Sequence, residues 1–337
     1  MTGQGQGPPA IDGLLLVDKG GGLTSHDLVN QVRRIAGQKR VGHAGTLDPM
    51  ATGLMAILLG SATRLEPWLV KSRKSYLATV RLGLSTDSLD VTGQTLSEWP
   101  GPWPGPSEAA LALGALEGPG LQVPPAISAI KVAGRTAYRE ARAGRPVELP
   151  PRAVTAYSLR LLDYRPPLLT LEAQVSSGYY VRSLARDLGL ALGLGGGALS
   201  ALRRLSIGDF GLDGALTLPS SREDLLARVM PPRQALGHLP ELELPTEALR
   251  RLCSGLGLPA PPQAATGLHK IIAPCGRLAA LAENLLPGDD DASHGKPRGP
   301  FLRPLRVFMP AASWPGANTE QGRDQRCPSP QRKPSSL

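Results

Sequence analysis

One stretch of this sequence joins a constrained turn to an apolar segment. Between Arg40 and Gly60 a single carboxylate, that of Asp48, lies among Gly and Pro residues, and the apolar run from Leu54 to Leu59 follows it. Glycine permits backbone conformations closed to other residues, and Pro49 fixes the backbone beside the acid. The pattern predicts a carboxylate on a fixed turn next to a buried strand. On local chemistry alone, a solvated aspartate in a surface turn is the simpler interpretation.

The chain has 337 residues, enough for about two domains and a sizeable core. Lys and Arg number 37 against 28 Asp and Glu, which gives a net charge of +9. Basic side chains near phosphates release counterions, so a polyanion is the natural partner of such a surface. Charge alone is equally compatible with a basic protein of no special partner.

Cysteine usage and the N-terminus exclude several classes of protein. Cys253, Cys275 and Cys327 lie far apart without a nearby His cluster, which argues against a disulfide framework and a zinc site. The sequence shows neither a signal peptide nor an apolar run of membrane-spanning length. Phosphate-cradling and dinucleotide motifs are also missing. We therefore expect a cytoplasmic, cofactor-free protein that binds no metal and no membrane.

Regular elements are predicted on both sides of the Asp48 turn. Residues 13–19 are typical of a short strand, and Thr24 is a suitable N-cap for a helix that Gly37 ends. Residues 62–70 have the character of a short helix. Residues 76–84 alternate as a strand, with Tyr76 on the more apolar face.

A basic ridge is predicted in the middle of the chain. The segment after Lys131, to about residue 144, has helical character, and Arg135, Arg139 and Arg142 would share one face. These four cations could contact phosphates, or they could form an ordinary solvated face; spacing favours neither.

Further along, residues 168–176 predict a strand and residues 183–192 a helix, with Arg182 at the junction. A change in composition near residues 231–245 indicates a domain boundary. We predict a first domain over residues 12–235, a small β-rich module over 240–310, with a helix at 246–254 and strands at 268–272, 277–282 and 304–308, and a disordered tail over 311–337.

Several ordered motifs together resemble one family. The segment Gly42-His43-Ala44-Gly45-Thr46-Leu47-Asp48-Pro49 closely resembles the catalytic motif of the TruB family of tRNA pseudouridine synthases. Further segments match the family in the order expected along the chain: Val17-Asp18-Lys19, Lys74-Ser75-Tyr76, Val123-Pro124-Pro125, Gly178-Tyr179-Tyr180-Val181-Arg182 and Leu202-Arg203-Arg204-Leu205. The resemblance covers about residues 12–210. It departs at Gly20, where the family usually has proline, and at Tyr179, where it has a small hydroxyl residue.

The resemblance implies a fold and a reaction. The fold would be α+β, the pseudouridine synthase fold, with a mixed and largely antiparallel sheet flanked by helices. The reaction would isomerise uridine 55 in the T-loop of tRNA. The small C-terminal module resembles the RNA-binding PUA domain at residues 278–282 and 305–308. The protein would act as a monomer on tRNA, without an obligate protein partner.

The resemblance also implies roles for single residues. Asp48 would be the catalytic carboxylate, through attack on the sugar, attack on the base or removal of a proton from C2′. Arg182 would pair with Asp48 and hold it ionised and oriented. The remaining substrate-binding residues would be Tyr76, which stacks on the target base, Tyr180 and Leu202, which line the uracil pocket, and His43, which lies near the flipped nucleotide. The rival hypothesis is a tRNA-binding or RNA-remodelling protein whose chemistry is secondary.

Overall fold

The structure is a computed structural model that describes residues 10–127, 131–132, 135–136, 149–286 and 300–309. Contacts divide the chain into two units. The larger unit holds residues 15–59 and 66–229. The smaller unit holds the chain from Met230 onward together with the short pieces Asp12–Leu14 and Gly60–Leu65. The boundaries predicted from the sequence, at residues 235 and 240, stay a prediction, and so does the resemblance to a PUA domain.

Eighteen strands are formed by the described residues. They are β1 (Gly13–Lys19), β2 (Val41–Ala44), β3 (Thr52–Leu59), β4 (Lys74–Leu82), β5 (Leu84–Thr86), β6 (Thr95–Glu98), β7 (Gly118–Gln122), β8 (Lys131–Val132), β9 (Arg135–Thr136), β10 (Arg152–Arg165), β11 (Leu168–Val175), β12 (Gly197–Ile207), β13 (Leu216–Thr217), β14 (Glu241–Glu243), β15 (Leu258–Pro259), β16 (Gly267–Ile272), β17 (Leu278–Leu285) and β18 (Phe301–Val307).

The α-helices of the described residues are α1 (Ser25–Ala36), α2 (Glu66–Leu69), α3 (Pro106–Gly114), α4 (Val181–Ala191), α5 (Arg222–Arg228) and α6 (Thr246–Cys253). Two short 3₁₀ helices cover Gly60–Leu65 and Gln234–Leu236. No helix of the described residues is long and apolar enough to cross a membrane.

A nine-stranded sheet forms the larger unit. Its order is β13-β1-β3-β12-β4-β11-β10-β7, and β2 pairs with β3. β1 pairs with β13 and β3 with β12 in parallel, whereas β4 runs antiparallel to both β11 and β12. β10 is antiparallel to β7 and β11. The mixed, largely antiparallel sheet of the predicted α+β fold is confirmed.

Burial follows the apolar pattern of the strands. Seven of the eight residues of β3 are buried, and β4 alternates between buried and half-buried positions. The helices α1 and α4 contribute Leu28, Val32, Leu184 and Leu188 to the same apolar core. The sheet and the apolar faces of these helices therefore form one core, against which the Asp48 turn is placed.

Helix α1 confirms the caps predicted from the sequence. Thr24 accepts a hydrogen bond from the backbone N–H of Asp27, whose carboxylate in turn accepts one from the Thr24 N–H. This reciprocal pair is a capping box. Gly37 closes the helix with φ of 65°, a left-handed conformation that glycine adopts without steric cost.

Three parts of the structure differ from the sequence-based expectation. The helix predicted after Lys131 does not include Arg135, because Lys131–Val132 and Arg135–Thr136 pair as two short antiparallel strands. Residues 62–70 form a 3₁₀ helix and a single α-helical turn. The long strand β10 is not predicted, since two register shifts break its alternation.

The smaller unit contains a five-stranded sheet in the order β14-β16-β17-β18-β15. Its core gathers apolar residues of helix α6 with those of the sheet, among them Leu249, Leu252, Ile271 and Ala280. The predicted helix at residues 246–254 and the three predicted strands are confirmed within a few residues at each end. The tail predicted over 311–337 lies outside the described residues.

Candidate active site

Asp48 lies in the short loop that joins β2 to β3. The Gly22 N–H donates to the carbonyl of Pro49 at 2.8 Å, and the Ala51 N–H donates to that of Asp48 at 3.1 Å. On the other side, the buried Ser25 hydroxyl is within 2.9 Å of the Leu47 N–H, which donates to it. The constrained turn predicted from Gly and Pro is confirmed. It is closed by its own backbone hydrogen bond and tied to the start of α1.

The carboxylate of Asp48 pairs with the guanidinium of Arg182. The Arg182 Nε atom lies 2.9 Å from Oδ2 of Asp48, and Nη2 donates to Oδ1 at 3.2 Å. Arg182 is 6% exposed whereas the Asp48 side chain is 33% exposed. The rigid, planar guanidinium of Arg182 therefore faces the Asp48 carboxylate from the protein side, while the other side of the carboxylate stays open to a ligand.

Arg182 is itself held by other groups. It belongs to the first turn of α4, and its Nη1 and Nη2 atoms donate to the backbone carbonyls of Ser88 at 2.9 Å and Ile127 at 3.0 Å. The Asp90 carboxylate lies 3.9 Å from Nη1. A buried cation of this kind is stable only with such partners, and they fix the direction in which it faces Asp48.

Strand register brings Tyr76 and Leu202 to one face of the sheet. Leu202 of β12 pairs with Ala78 of β4, and Arg204 pairs with Tyr76. Paired residues of neighbouring strands share a face, as do residues two apart along one strand. Tyr76 and Leu202 are 7% and 8% exposed and belong to the same apolar cluster. The structure places these two predicted site residues on one face of the sheet, in diagonal positions on neighbouring strands.

Tyr180 and Tyr179 precede α4. The Tyr180 backbone is fixed by Gln122 of β7, whose side chain accepts from its N–H at 2.8 Å and donates to its carbonyl at 3.1 Å. The Tyr180 side chain is half-buried. Tyr179 packs against the apolar core, and burial raises the pKa of its phenol. The residue that departs from the family pattern is thus a packing residue.

His43 lies on β2, five residues before Asp48, and is half-buried. Burial is the main cause that lowers the pKa of its imidazole, and the positive charges of Arg204 and His26 add to the effect. Its buried Nδ1 atom has no hydrogen-bond partner among the described residues. A neutral ring with an unused polar atom is suited to receive a hydrogen bond from a ligand or to donate one.

Two buried cations support the Asp48 loop, and no role is predicted for either from the sequence. The Lys19 ammonium donates to the carbonyls of Leu23 at 2.8 Å and Pro49 at 3.3 Å. Burial lowers the pKa of Lys19, and the Asp48 carboxylate opposes that effect. Arg204 is 1% exposed and contacts the loop from the strand side. The signal in the sequence is the unusual position of these charged residues, since Lys19 ends β1 and Arg204 lies within β12.

The predicted basic ridge is only partly described. Lys131 and Arg135 lie in β8 and β9, and nothing beyond their backbone pairing is described. Arg139 and Arg142 lie outside the described residues. Their assignment as phosphate contacts stays a prediction. Within the part of the chain that the structure describes, no group of three or more His, Cys, Asp or Glu is arranged to hold a metal ion.

Comparison with known proteins gives consistent matches. A family profile described as TruB family pseudouridylate synthase (N terminal domain) matches residues 33–181. The tRNA pseudouridine synthase B of Thermobifida fusca (strain YX) is 44% identical over 284 residues, 81% of this chain and 94% of that protein. The tRNA pseudouridine synthase B of Arthrobacter sp. (strain FB24) is 39% identical over 321 residues, 91% of this chain and 99% of that protein.

A solved structure agrees in fold. One chain of a Cbf5-Nop10-Gar1 complex superposes with a TM-score of 0.67 and 25% identity, over 90% of this chain and 87% of that chain. Together with the sequence matches, this defines the class of the protein: a pseudouridine synthase, an isomerase that converts uridine to pseudouridine. Within that class, the chain belongs to the TruB family.

Proposed function

We propose that this enzyme isomerises uridine 55 in the T-loop of tRNA, with Asp48 as its catalytic carboxylate. One observation is the main support for the proposal. The buried Arg182 pairs with the Asp48 carboxylate from the protein side, and the Asp48 side chain stays 33% exposed. The names of the curated relatives, each a tRNA pseudouridine synthase B, support tRNA as the substrate.

The reaction needs little beyond positioning and one carboxylate. The N1–C1′ bond of the uridine breaks, the uracil turns while it is held, and C5 bonds to C1′. The proton that C5 carried leaves, and N1 takes up a proton, so that atoms and electrons balance without a redox partner. An aspartate can attack an electron-poor carbon or stabilise positive charge on the ribose, as carboxylates do in retaining glycosidases.

Arg182 prepares Asp48 for this task. A carboxylate offers about four lone-pair positions, and the Arg182 fork faces only the protein side of the two oxygens. No other side chain of the described residues pairs with these oxygens, so the remaining positions can meet the substrate. Because the carbonyls of Ser88 and Ile127 hold the guanidinium, the carboxylate is oriented before the substrate arrives.

The other predicted site residues would hold the uracil. A base must leave its stack before its glycosidic bond can be reached. Tyr76 would stack on the flipped base, and Leu202, on the same face of the sheet, would form an apolar wall. Tyr180 would line the same pocket. The neutral imidazole of His43 would occupy space near the flipped nucleotide.

The net charge of +9 fits a tRNA partner. We place the phosphate contacts at Lys131, Arg135, Arg139 and Arg142. The protein would act as a monomer in the cytoplasm, without a cofactor or a metal.

The test is a map of pseudouridine in tRNA from cells with and without this protein. We expect uridine in place of pseudouridine at T-loop position 55, and at no other tRNA position, when the gene is deleted. Return of the wild-type gene should restore the modification, whereas the Asp48→Asn gene should not. An unchanged map would refute the proposal. If the Asp48→Asn gene restored pseudouridine, the assignment of Asp48 alone would be wrong.

A further inference from the structure

Arg204 is a fully buried charged residue for which the reaction described above has no use. It lies on β12 two residues beyond Leu202, and its side chain is among the largest that the larger unit buries completely. A buried guanidinium is costly unless its donors are satisfied. The hydrogen-bond partners of Arg204 therefore indicate which part of the fold depends on its guanidinium.

The partners of Arg204 lie at both ends of the loop that carries Asp48. Before Asp48, Nη2 donates to the carbonyl of Gly45 and Nη1 to that of Thr46, each at 3.3 Å. After Asp48, Nε donates to the carbonyl of Leu54 at 2.6 Å. One rigid group thus joins the last residues before the turn to the strand that follows it.

The backbone of Arg204 is fixed as firmly as its side chain. Gly53 approaches so closely that a Cβ atom there would lie 2.3 Å from the Arg204 carbonyl oxygen. Gly53 also has φ of 101°, which glycine adopts readily and other residues do not. The parallel pairing of Arg203 and Arg204 with Thr52 and Gly53 continues this contact. The backbone that carries the Arg204 guanidinium is consequently held in a fixed position relative to the Asp48 loop.

We propose that Arg204 is a positioning residue for catalysis: its guanidinium fixes the separation of Gly45 and Leu54, and thereby the place of Asp48 against Arg182. The inference rests on the proposed role of Asp48. Arg182 orients the carboxylate from the α4 side, and Arg204 sets the backbone that presents it. Because an error of about 1 Å in a reacting group can reduce a rate ~100-fold, such a brace acts on the reaction without contact with the substrate.

The competing explanation is that Arg204 only stabilises the fold. Loss of a positioning residue slows the chemical step of an enzyme that is still folded and still binds RNA. The single-turnover rate and the Kd therefore distinguish a positioning role from a role in stability alone. The test uses the full-length chain, with single-turnover pseudouridine formation on a T-stem-loop transcript, the Kd of that transcript and the melting temperature. Arg204→Met removes every donor while it keeps an unbranched side chain. Arg204→Lys keeps one charge that cannot reach three carbonyls.

The matched control is Arg203→Lys, on the neighbouring residue. Arg203 is 37% exposed and pairs with Asp18, and it makes no contact with the Gly45 or Leu54 carbonyls. At a temperature where every variant is folded, we expect the single-turnover rate to fall ~10-fold for Arg204→Lys and ~100-fold for Arg204→Met. The Kd should change less than about twofold, and Arg203→Lys should retain the wild-type rate.

Three results would overturn the inference. They are an unchanged rate in Arg204→Met, a rise in Kd equal to the loss of rate, and failure of both Arg204 variants to fold, which would assign the residue to stability. Asp48→Asn is measured beside them. If Asp48→Asn is inactive and Arg204→Met is fully active, the positioning role alone is wrong. If Asp48→Asn is active, the proposed function fails first.

Discussion

The residues of the proposed site divide into those that would face the substrate and those that hold the first group in place. Asp48 is named by its sequence context, and Tyr76, Leu202 and Arg182 follow from the motifs. Sequence could not show that Ser88 and Ile127 hold Arg182, because their contacts use backbone carbonyls, which any residue carries. Supporting contacts of this kind leave no signature in side-chain chemistry.

Lys74 offers a test of charge burial beside the site. Its ammonium donates to the carbonyls of Val70 at 2.7 Å and Ser72 at 2.8 Å. Burial, and after it the charge of Arg204, lowers the pKa of Lys74 from 10.5 to about 8. Between these two values the unfolded chain binds more protons than the folded chain, so the contribution of Lys74 to stability rises with pH.

We therefore expect the free energy of unfolding of the wild type, relative to Lys74→Met, to be constant from about pH 6.5 to 7.5 and to increase between about pH 8 and 10.5. Urea unfolding followed by tryptophan fluorescence at each pH gives the difference. The same substitution at the exposed Lys71 supplies the baseline. A difference that stays flat across the alkaline range would show that Lys74 is not a buried cation.

At the scale of elements, sequence predicts those with regular patterns and misses those without. β3, β4 and α1 follow from apolar periodicity and caps. β10 is not predicted, because bulges interrupt its alternation. The helix predicted after Lys131 is wrong at Arg135, since a two-residue strand pair is too short to leave a pattern. Short pairings depend on tertiary context, which local propensity does not contain.

Helix α4 carries Arg182, and its distance from β12 depends on Gly189. A Cβ atom at Gly189 would lie 1.9 Å from the carbonyl oxygen of Gly196. We expect Gly189→Ala to lower the free energy of unfolding by about 1–3 kcal/mol, because the helix must move away from the sheet. Thermal melting should show a decrease of several degrees.

The control for this prediction is Gly114→Ala at the exposed end of α3, where a Cβ atom meets nothing within 4 Å. Helix propensity alone should make that variant more stable by ~0.4–1 kcal/mol. If the two variants melted alike, the close approach of α4 to the residues before β12 would be incorrect.

At the scale of the whole molecule, the positive charge bears on the choice of partner. The net charge of +9 is compatible with a polyanionic partner, but equally with a basic protein of no special partner. Composition could not locate the surface that binds it, because charge patterns on a solvated face and on a phosphate-binding face are the same in sequence. The family resemblance rests on the ordered series of motifs, because each single motif is too short to be specific.

The proposed phosphate contacts can be tested by charge reversal. Arg139→Glu with Arg142→Glu should weaken binding of a T-stem-loop transcript and reduce the slope of log Kd against log salt by about 2. The matched control reverses Arg160 and Arg165 on β10, which are 67% and 84% exposed. Filter binding at several salt concentrations gives both slopes. Equal slopes for the two double variants would return Arg139 and Arg142 to an ordinary solvated face.

The most direct test of the account measures binding and chemistry on the same variant. Asp48→Asn preserves the shape of the side chain and removes the charge that faces Arg182. We expect pseudouridine formation on a T-stem-loop transcript to be abolished while the Kd for that transcript stays within about threefold of the wild type. Formation of pseudouridine by Asp48→Asn at a rate near that of the wild type would contradict the central role of this carboxylate.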